Sequence, residues 1–135
     1  MANALYDHGR EAFLRGEISW NTDTIKCVLV DAADYTVNLA THQYLSDIPS
    51  GGRVATTAAL SGKTTTAGVA DANDPVFTAA TGDQAEAIVI YKDTGSAATS
   101  PLIAYIDTAT GLPVLPNSGD ITVVFDNGSN RVFRL

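Results

Sequence analysis

The side chains in this sequence able to attack, shuttle protons or hold a metal are His8, His42, Cys27 and a scattered set of fifteen carboxylates. Zinc needs several His or Cys ligands at short spacing, and His8, Cys27 and His42 lie too far apart along the chain to form such a motif. Gly62-Lys63-Thr64 matches the end of a phosphate-binding loop. The full pattern also requires Gly five residues before Gly62, where Thr57 stands, and a helix afterwards. Lys63-Thr64-Thr65-Thr66 favours a strand instead. Asp71, Asn73 and Asp74 put oxygen ligands close together, as a calcium loop does, but Val76 and Gly82 replace its obligatory Gly and Glu. The reading for both stretches is a turn. No Gly-x-Ser-x-Gly elbow supplies a nucleophile. Glu86, Asp93, Asp107 and Asp120 fall near expected strand ends, where two carboxylates can cleave a glycosidic bond. So many acids produce such pairs by chance, and the expectation is no enzyme, no metal and no cofactor.

The elements that must position these residues centre on two segments, Ala85–Lys92 and Leu102–Asp107, joined by the turn-formers of 93–101. Both are apolar on successive residues, which means both faces are covered and the pair belongs in the middle of a sheet. Thr24–Val30 is a further strand, with Ile25, Cys27 and Leu29 on one face and Lys26, Val28 and Val30 on the other. Cys27 then reads as a small buried hydrophobe with no attacking role. A helix is expected over 3–15, capped by Asn3 and ended by Gly16, with Leu5, Gly9, Ala12 and Phe13 sharing a face. Gly9 weakens that helix unless close packing needs the missing side chain. Trp20 reads as a lid on the core.

The remaining segments carry weaker signals. Residues 31–52 form a long connection, too apolar in Tyr35, Leu39, Tyr44, Leu45 and Ile48 for a solvated linker, with a helical turn expected at 41–45. Arg53–Leu60 and Lys63–Val69 are expected to pair through a Ser61-Gly62 turn as outer strands. Val76–Ala79 is a short strand, and 108–120, with its prolines and glycines, is a loop. Ile121–Phe125 and Arg131–Leu135 are expected to form a last hairpin with Ile121, Val123, Phe125, Phe133 and Leu135 inward. The fold class is all-β, an antiparallel sandwich or flattened barrel with a short N-terminal helix, as one domain over 1–135.

Composition narrows the partners. The sequence has 135 residues, is 45% hydrophobic and only 17% charged, and carries a formal charge of −7. Typical chains carry ~25% charged residues. An acidic surface repels phosphate backbones and anionic lipids, so neither nucleic acid nor membrane is an expected partner. Asp7, His8, Arg10 and Glu11 interrupt any signal-peptide core, and a single cysteine excludes an intrachain disulfide, so synthesis in a reducing cytoplasm is expected.

Several phrases stand out together: Ala2-Asn3-Ala4-Leu5-Tyr6-Asp7 with Gly9-Arg10 and Phe13-Leu14; Asp23-Thr24-Ile25-Lys26; Leu45-Ser46-Asp47-Ile48-Pro49; Glu86 to Gly95; and Leu102 to Thr108. The set resembles a family of small virion proteins of tailed bacteriophages, along nearly the whole chain. The resemblance implies a particle component, a cement (decoration) protein on the capsid exterior that binds the major capsid protein as a homo-oligomer, with a trimer at a local threefold. A neck or tail component is the alternative. It carries no family site residues. From the residues themselves, Leu5, Tyr6, Phe13, Tyr35 and Tyr44 are the candidates for contact with a protein partner. A carbohydrate-binding module stacking sugar on Trp20, Tyr91 or Tyr105 is the third reading.

Overall fold

The computed structural model describes residues 4–125 and 132–134. Its centre is a five-stranded antiparallel sheet of β1 (Ala4–Leu5), β2 (Ile25–Val30), β3 (Arg53–Thr56), β6 (Ala87–Lys92) and β7 (Leu102–Ile106), in the order β1-β7-β6-β2-β3. β4 (Val69–Ala70) pairs with β9 (Phe133–Arg134), and β5 (Val76–Phe77) pairs with β8 (Ile121–Thr122). The sheet has two different edges and does not close into a barrel. The expected central pair is there: β6 joins β7 with Val89 opposite Tyr105, and β2 with Val28 opposite Val89.

Continuous apolar runs bury both faces. On one, Ile25, Cys27, Leu29, Ile88, Ile90, Ile103 and Ile106 pack with Trp20, Phe77, Val123 and Phe133. On the other, Val28, Val30, Val89, Tyr91, Leu102 and Tyr105 pack with Tyr6, Tyr35, Leu45 and Ile48. The two sides of β2 divide as its alternation predicts. Trp20 is buried, edge-on to Phe133 at 5.1 Å, with its indole N–H donating to the Asp71 carbonyl at 3.2 Å. The long connection 31–52 is therefore the cover of the second face, which explains its apolar content.

The α-helix seen among the described residues, α1 (Asp7–Leu14), is shorter than expected at its start. Ala4 and Leu5 are drawn into the sheet opposite Tyr105 and Ala104, where Leu5 is buried, and the helix begins only after Tyr6. Asn3 lies outside the described residues. The C-terminus ends as anticipated at Gly16, φ +73°. Glu17 N–H donates to the Ala12 carbonyl at 2.8 Å and Gly16 N–H to that of Phe13 at 3.1 Å, the two bonds of a Schellman motif. Gly9 and Ala12 face β7, and Leu14 points to solvent. A Cβ on Gly9 would lie 2.6 Å from the Leu102 carbonyl oxygen, so the glycine permits the docking distance.

Three sequence expectations are corrected. The helical turn of the long connection is a 3-10 turn at Leu45–Asp47, not 41–45, because the Asp47 carboxylate accepts from Gln43 N–H at 2.7 Å and Tyr44 N–H at 3.0 Å. Arg53–Leu60 and Lys63–Val69 do not pair with each other. Beyond β3, Thr57 N–H and Leu60 N–H stay bonded to the Cys27 and Ile25 carbonyls of β2. Thr64 and Asp71 instead exchange both backbone bonds around a 3-10 turn at Thr66–Gly68. Small Thr and Ala side chains gave these arms no face to set a register. Finally, Ile121–Thr122 lies against Val76–Phe77, and Phe133–Arg134 against Val69–Ala70, so the described parts of the expected last hairpin have other partners. Its inward residues Ile121, Val123, Phe125 and Phe133 are buried all the same, while Leu135 and 126–131 lie outside the described residues.

Candidate interaction surface

The side chains with chemical potential are largely occupied in holding loops. Glu86 accepts from Ala32 N–H at 2.9 Å and Asp120 from Ala79 N–H at 2.9 Å. Asp93 pairs with Lys26 at 2.7 Å, which holds its carboxyl below the usual carboxylate range, helped by Gly95 N–H. Asp74 accepts from Phe125 N–H, and Asn73 bridges to Ser61, so the would-be calcium loop pins two segments together. Cys27 is fully buried, and burial pushes its thiol far up, away from the reactive thiolate. One grouping escaped the sequence reading. Asp31, Asp34 and Asp83 bring carboxylate oxygens within 4.8 Å of one another, and Asp31 accepts from Ala33 N–H. No local spacing signals it, because Asp83 comes from a different loop.

Of the residues expected to meet a partner, Leu5, Tyr6 and Tyr35 are interior, which leaves Phe13 and Tyr44 half-buried with surface to offer. Phe13 leans on Phe133, ring centroids 5.9 Å apart. Tyr6 and Tyr35 belong to a hydrogen-bonded chain that fastens the long connection. Tyr6 Oη lies 2.8 Å from Tyr35 Oη, which lies 2.8 Å from His42 Nδ1. Asn38 N–H also donates to that nitrogen at 3.2 Å. Nδ1 is therefore an acceptor, Tyr35 donates to it, and Tyr6 donates to Tyr35. Burial, followed by the donated bond to Tyr35, drives the Tyr6 hydroxyl far above its ordinary pKa; burial takes Tyr35 to about 12.

Trp20, Tyr91 and Tyr105 are all buried, so none of them presents the stacking face that the carbohydrate reading assigned to them. Burial also lifts the Tyr91 hydroxyl to about 12.

Among the described residues, two surface features bear on recognition. The first is the outer side of β3. Thr57 and Ala55 turn their backbone groups toward β2, by the Thr57 N–H bond to the Cys27 carbonyl and the pairing of Ala55 with Leu29. Alternation then points the backbone of Thr56 outward, and Thr56 is exposed. Gly82 approaches the Val54 end of the same strand. Among the described residues no strand pairs with β3 on that side. The second is a pocket of about 240 Å³ between α1, residues 43–44 and the 92–101 turn, with Tyr44 in its wall.

No protein-family model matches this chain, and no curated protein matches it. Among the described residues, no helix is long and apolar enough to cross a membrane.

Proposed function

We propose that this chain is a structural protein of a tailed-bacteriophage particle, a cement protein on the capsid exterior. In this reading the five-stranded sheet and the two ribbons across one face are the layers of an incomplete β-sandwich. The observation that carries the proposal is the division of labour in the fold. Both sheet faces are buried, polar side chains are spent on loop anchoring, and the sheet stops at β3 with an outward-facing edge. A molecule built this way has its surface left for other proteins, and an open edge accepts an added strand through main-chain hydrogen bonds. The phrases that resemble the phage family include all of β6 and β7, the start of β2, the Leu45–Asp47 turn, β1 and parts of α1.

Net charge −7 favours a position away from packaged DNA. The partner is the major capsid protein, and trimeric assembly at local threefolds would let each weak contact reinforce the next. The decisive experiment is a map of the intact particle. Density for this chain at shell threefolds supports the reading; a few copies in a neck or tail ring overturn it in favour of a connector role. Light scattering on purified protein that finds only monomer at high concentration counts against the trimer.

A further inference from the structure

We propose that the pocket beside Tyr44 is a binding site for a single neutral sugar residue, a function independent of the particle role. Its wall joins three segments: His8 and Ala12 of α1 with Arg15 just beyond it, Gln43 and Tyr44 from the long connection, and Lys92 at the end of β6 with Thr99 and Pro101 after it. The volume of about 240 Å³ lies below the ~300–1,000 Å³ of drug-sized sites and suits one small ring.

The charges of the wall select against an anion. Lys92 already pairs with Asp23 at 3.2 Å and donates to the Glu17 carbonyl at 2.8 Å. Arg15 is held by Glu17 at 3.1 Å and Glu11 at 3.5 Å, and His8 Nδ1 lies 3.1 Å from Glu11. Lys92 and Arg15 thus each have a carboxylate beside them, and Glu17 itself stands in the wall. A phosphate entering here meets a neutralised wall and a like charge. A neutral ring meets something better suited. The half-buried Tyr44 and Pro101 offer an apolar surface to its C–H face, as aromatic rings do for sugars. Gln43, Thr99, His8 and Arg15 line the same pocket and bring polar groups to its wall, where sugar hydroxyls need partners.

The wall is also pre-positioned, which lowers the cost of ordering it on binding. Gln43 Nε2 donates to Tyr44 Oη at 3.2 Å, and Thr94 and Thr99 hydroxyls meet at 2.6 Å. Asp47 holds the backbone of Gln43 and Tyr44 from beneath.

The test is a titration of the isotope-labelled intact chain with glucose, galactose, mannose and N-acetylglucosamine, and with their methyl glycosides, followed by amide NMR. At least one sugar is expected to shift His8, Gln43, Tyr44 and Thr99 together, with a roughly millimolar Kd. Saturation by a methyl glycoside identifies a chain-terminal residue as the ligand; binding of the free sugar alone identifies the monosaccharide. Tyr44→Ala is expected to weaken binding about tenfold or more, while Tyr44→Phe keeps most of it, a distinction that lost hydrogen bonding alone would not give. Gln43→Ala provides a second variant should Tyr44→Ala melt. No shift with any sugar well above the millimolar range overturns the proposal. So does binding that Tyr44→Ala leaves unchanged, or preferential binding of inorganic phosphate at these residues.

Discussion

Replacing Gly9 with alanine sets two effects of opposite sign against each other. Helix propensity alone predicts that Gly9→Ala stabilises the protein by about 0.5–1 kcal/mol, since glycine loses more backbone freedom on folding. The packing predicts the reverse. The new Cβ would sit 2.6 Å from the Leu102 carbonyl oxygen, 3.1 Å from Ile103 Cα and 3.2 Å from the Ile103 carbonyl oxygen. All three are backbone atoms of β7, a strand hydrogen-bonded on both sides, so none can swing aside as a flexible side chain would. Relief requires α1 to lift from the sheet, loosening Ala12. Overpacking of this kind costs about 1–3 kcal/mol. Subtracting the propensity gain leaves a net loss between zero and about 2.5 kcal/mol, centred on ~1 kcal/mol. For a chain of 135 residues the centre of that range is a fall in Tm of about 3–5 °C. Thermal unfolding followed by circular dichroism measures it, with Leu14→Ala as the control on the same helix. Leu14 is 88% exposed, so its truncation should move stability by less than about 0.5 kcal/mol. A Gly9→Ala protein that melts at or above the parent temperature would refute the docking geometry.

The direction of the tyrosine chain makes Tyr35→Phe costlier than Tyr6→Phe. The first strands the buried Tyr6 hydroxyl and removes a donor from His42, about 1–3 kcal/mol by urea denaturation, whereas the second removes only the terminal donor. Equal losses would contradict the assigned polarity. Asp23, held down chiefly by Ser19 N–H and then by Lys92, and Asp93, held down by Lys26, have lowered pKa values, so their unfolded forms take up protons first as pH falls. Their stabilisation is present above the ordinary carboxylate value near ~3.9 and disappears as pH drops through the folded value. Denaturation midpoints between neutral and acid pH should therefore fall at the acid end, and Asp93→Asn should flatten that slope. Cys27 should resist a thiol reagent in the folded state and react at the rate of unfolding, because it is fully buried with its thiol pKa raised. Rapid labelling under native conditions would show the first face of the sheet to be open.

The parts of this fold legible in the sequence are those where one segment carries its own instruction. Successive apolar residues in Ala87–Lys92 and Leu102–Ile106 announced burial on two faces, and the alternation of Ile25–Val30 announced which side met which core. Gly16 announced the helix end, and Gly9 the possibility of close docking. The misread elements depend on a distant partner. Val69–Ala70 and Phe133–Arg134 are two-residue strands, too short for a period to show, and each is fixed by the other. Leu5 has the same apolar character in a helix or a strand, and only the free edge of β7 decides between them. The aromatic residues expected at an interface illustrate the same limit. Tyr6 and Tyr35 were expected to meet a partner, yet a mutual hydrogen bond satisfies both hydroxyls inside. The pocket was invisible for a related reason, since its wall is assembled from three separated segments.

The placement of the long connection constrains where recognition can occur. A loop of this length invites the idea of a mobile binding arm, but 31–52 carries Tyr35, Leu45 and Ile48 into the second core. Lifting it would uncover Val28, Val30, Val89 and Tyr105 and break the bond between Tyr6 and Tyr35. At roughly 1.5–3 kcal/mol for each large apolar side chain exposed, even a partial release costs a large share of the 5–15 kcal/mol that holds a domain together. A partner that had to move this segment would therefore bind weakly. Contacts made at the rim of the sheet carry no such cost: the Thr56 backbone already faces outward, and the Tyr44 pocket is already open. Recognition by this chain thus belongs to surfaces formed before any partner arrives. In the proposed role on a repeating capsid lattice, affinity then depends on how many such surfaces engage at once.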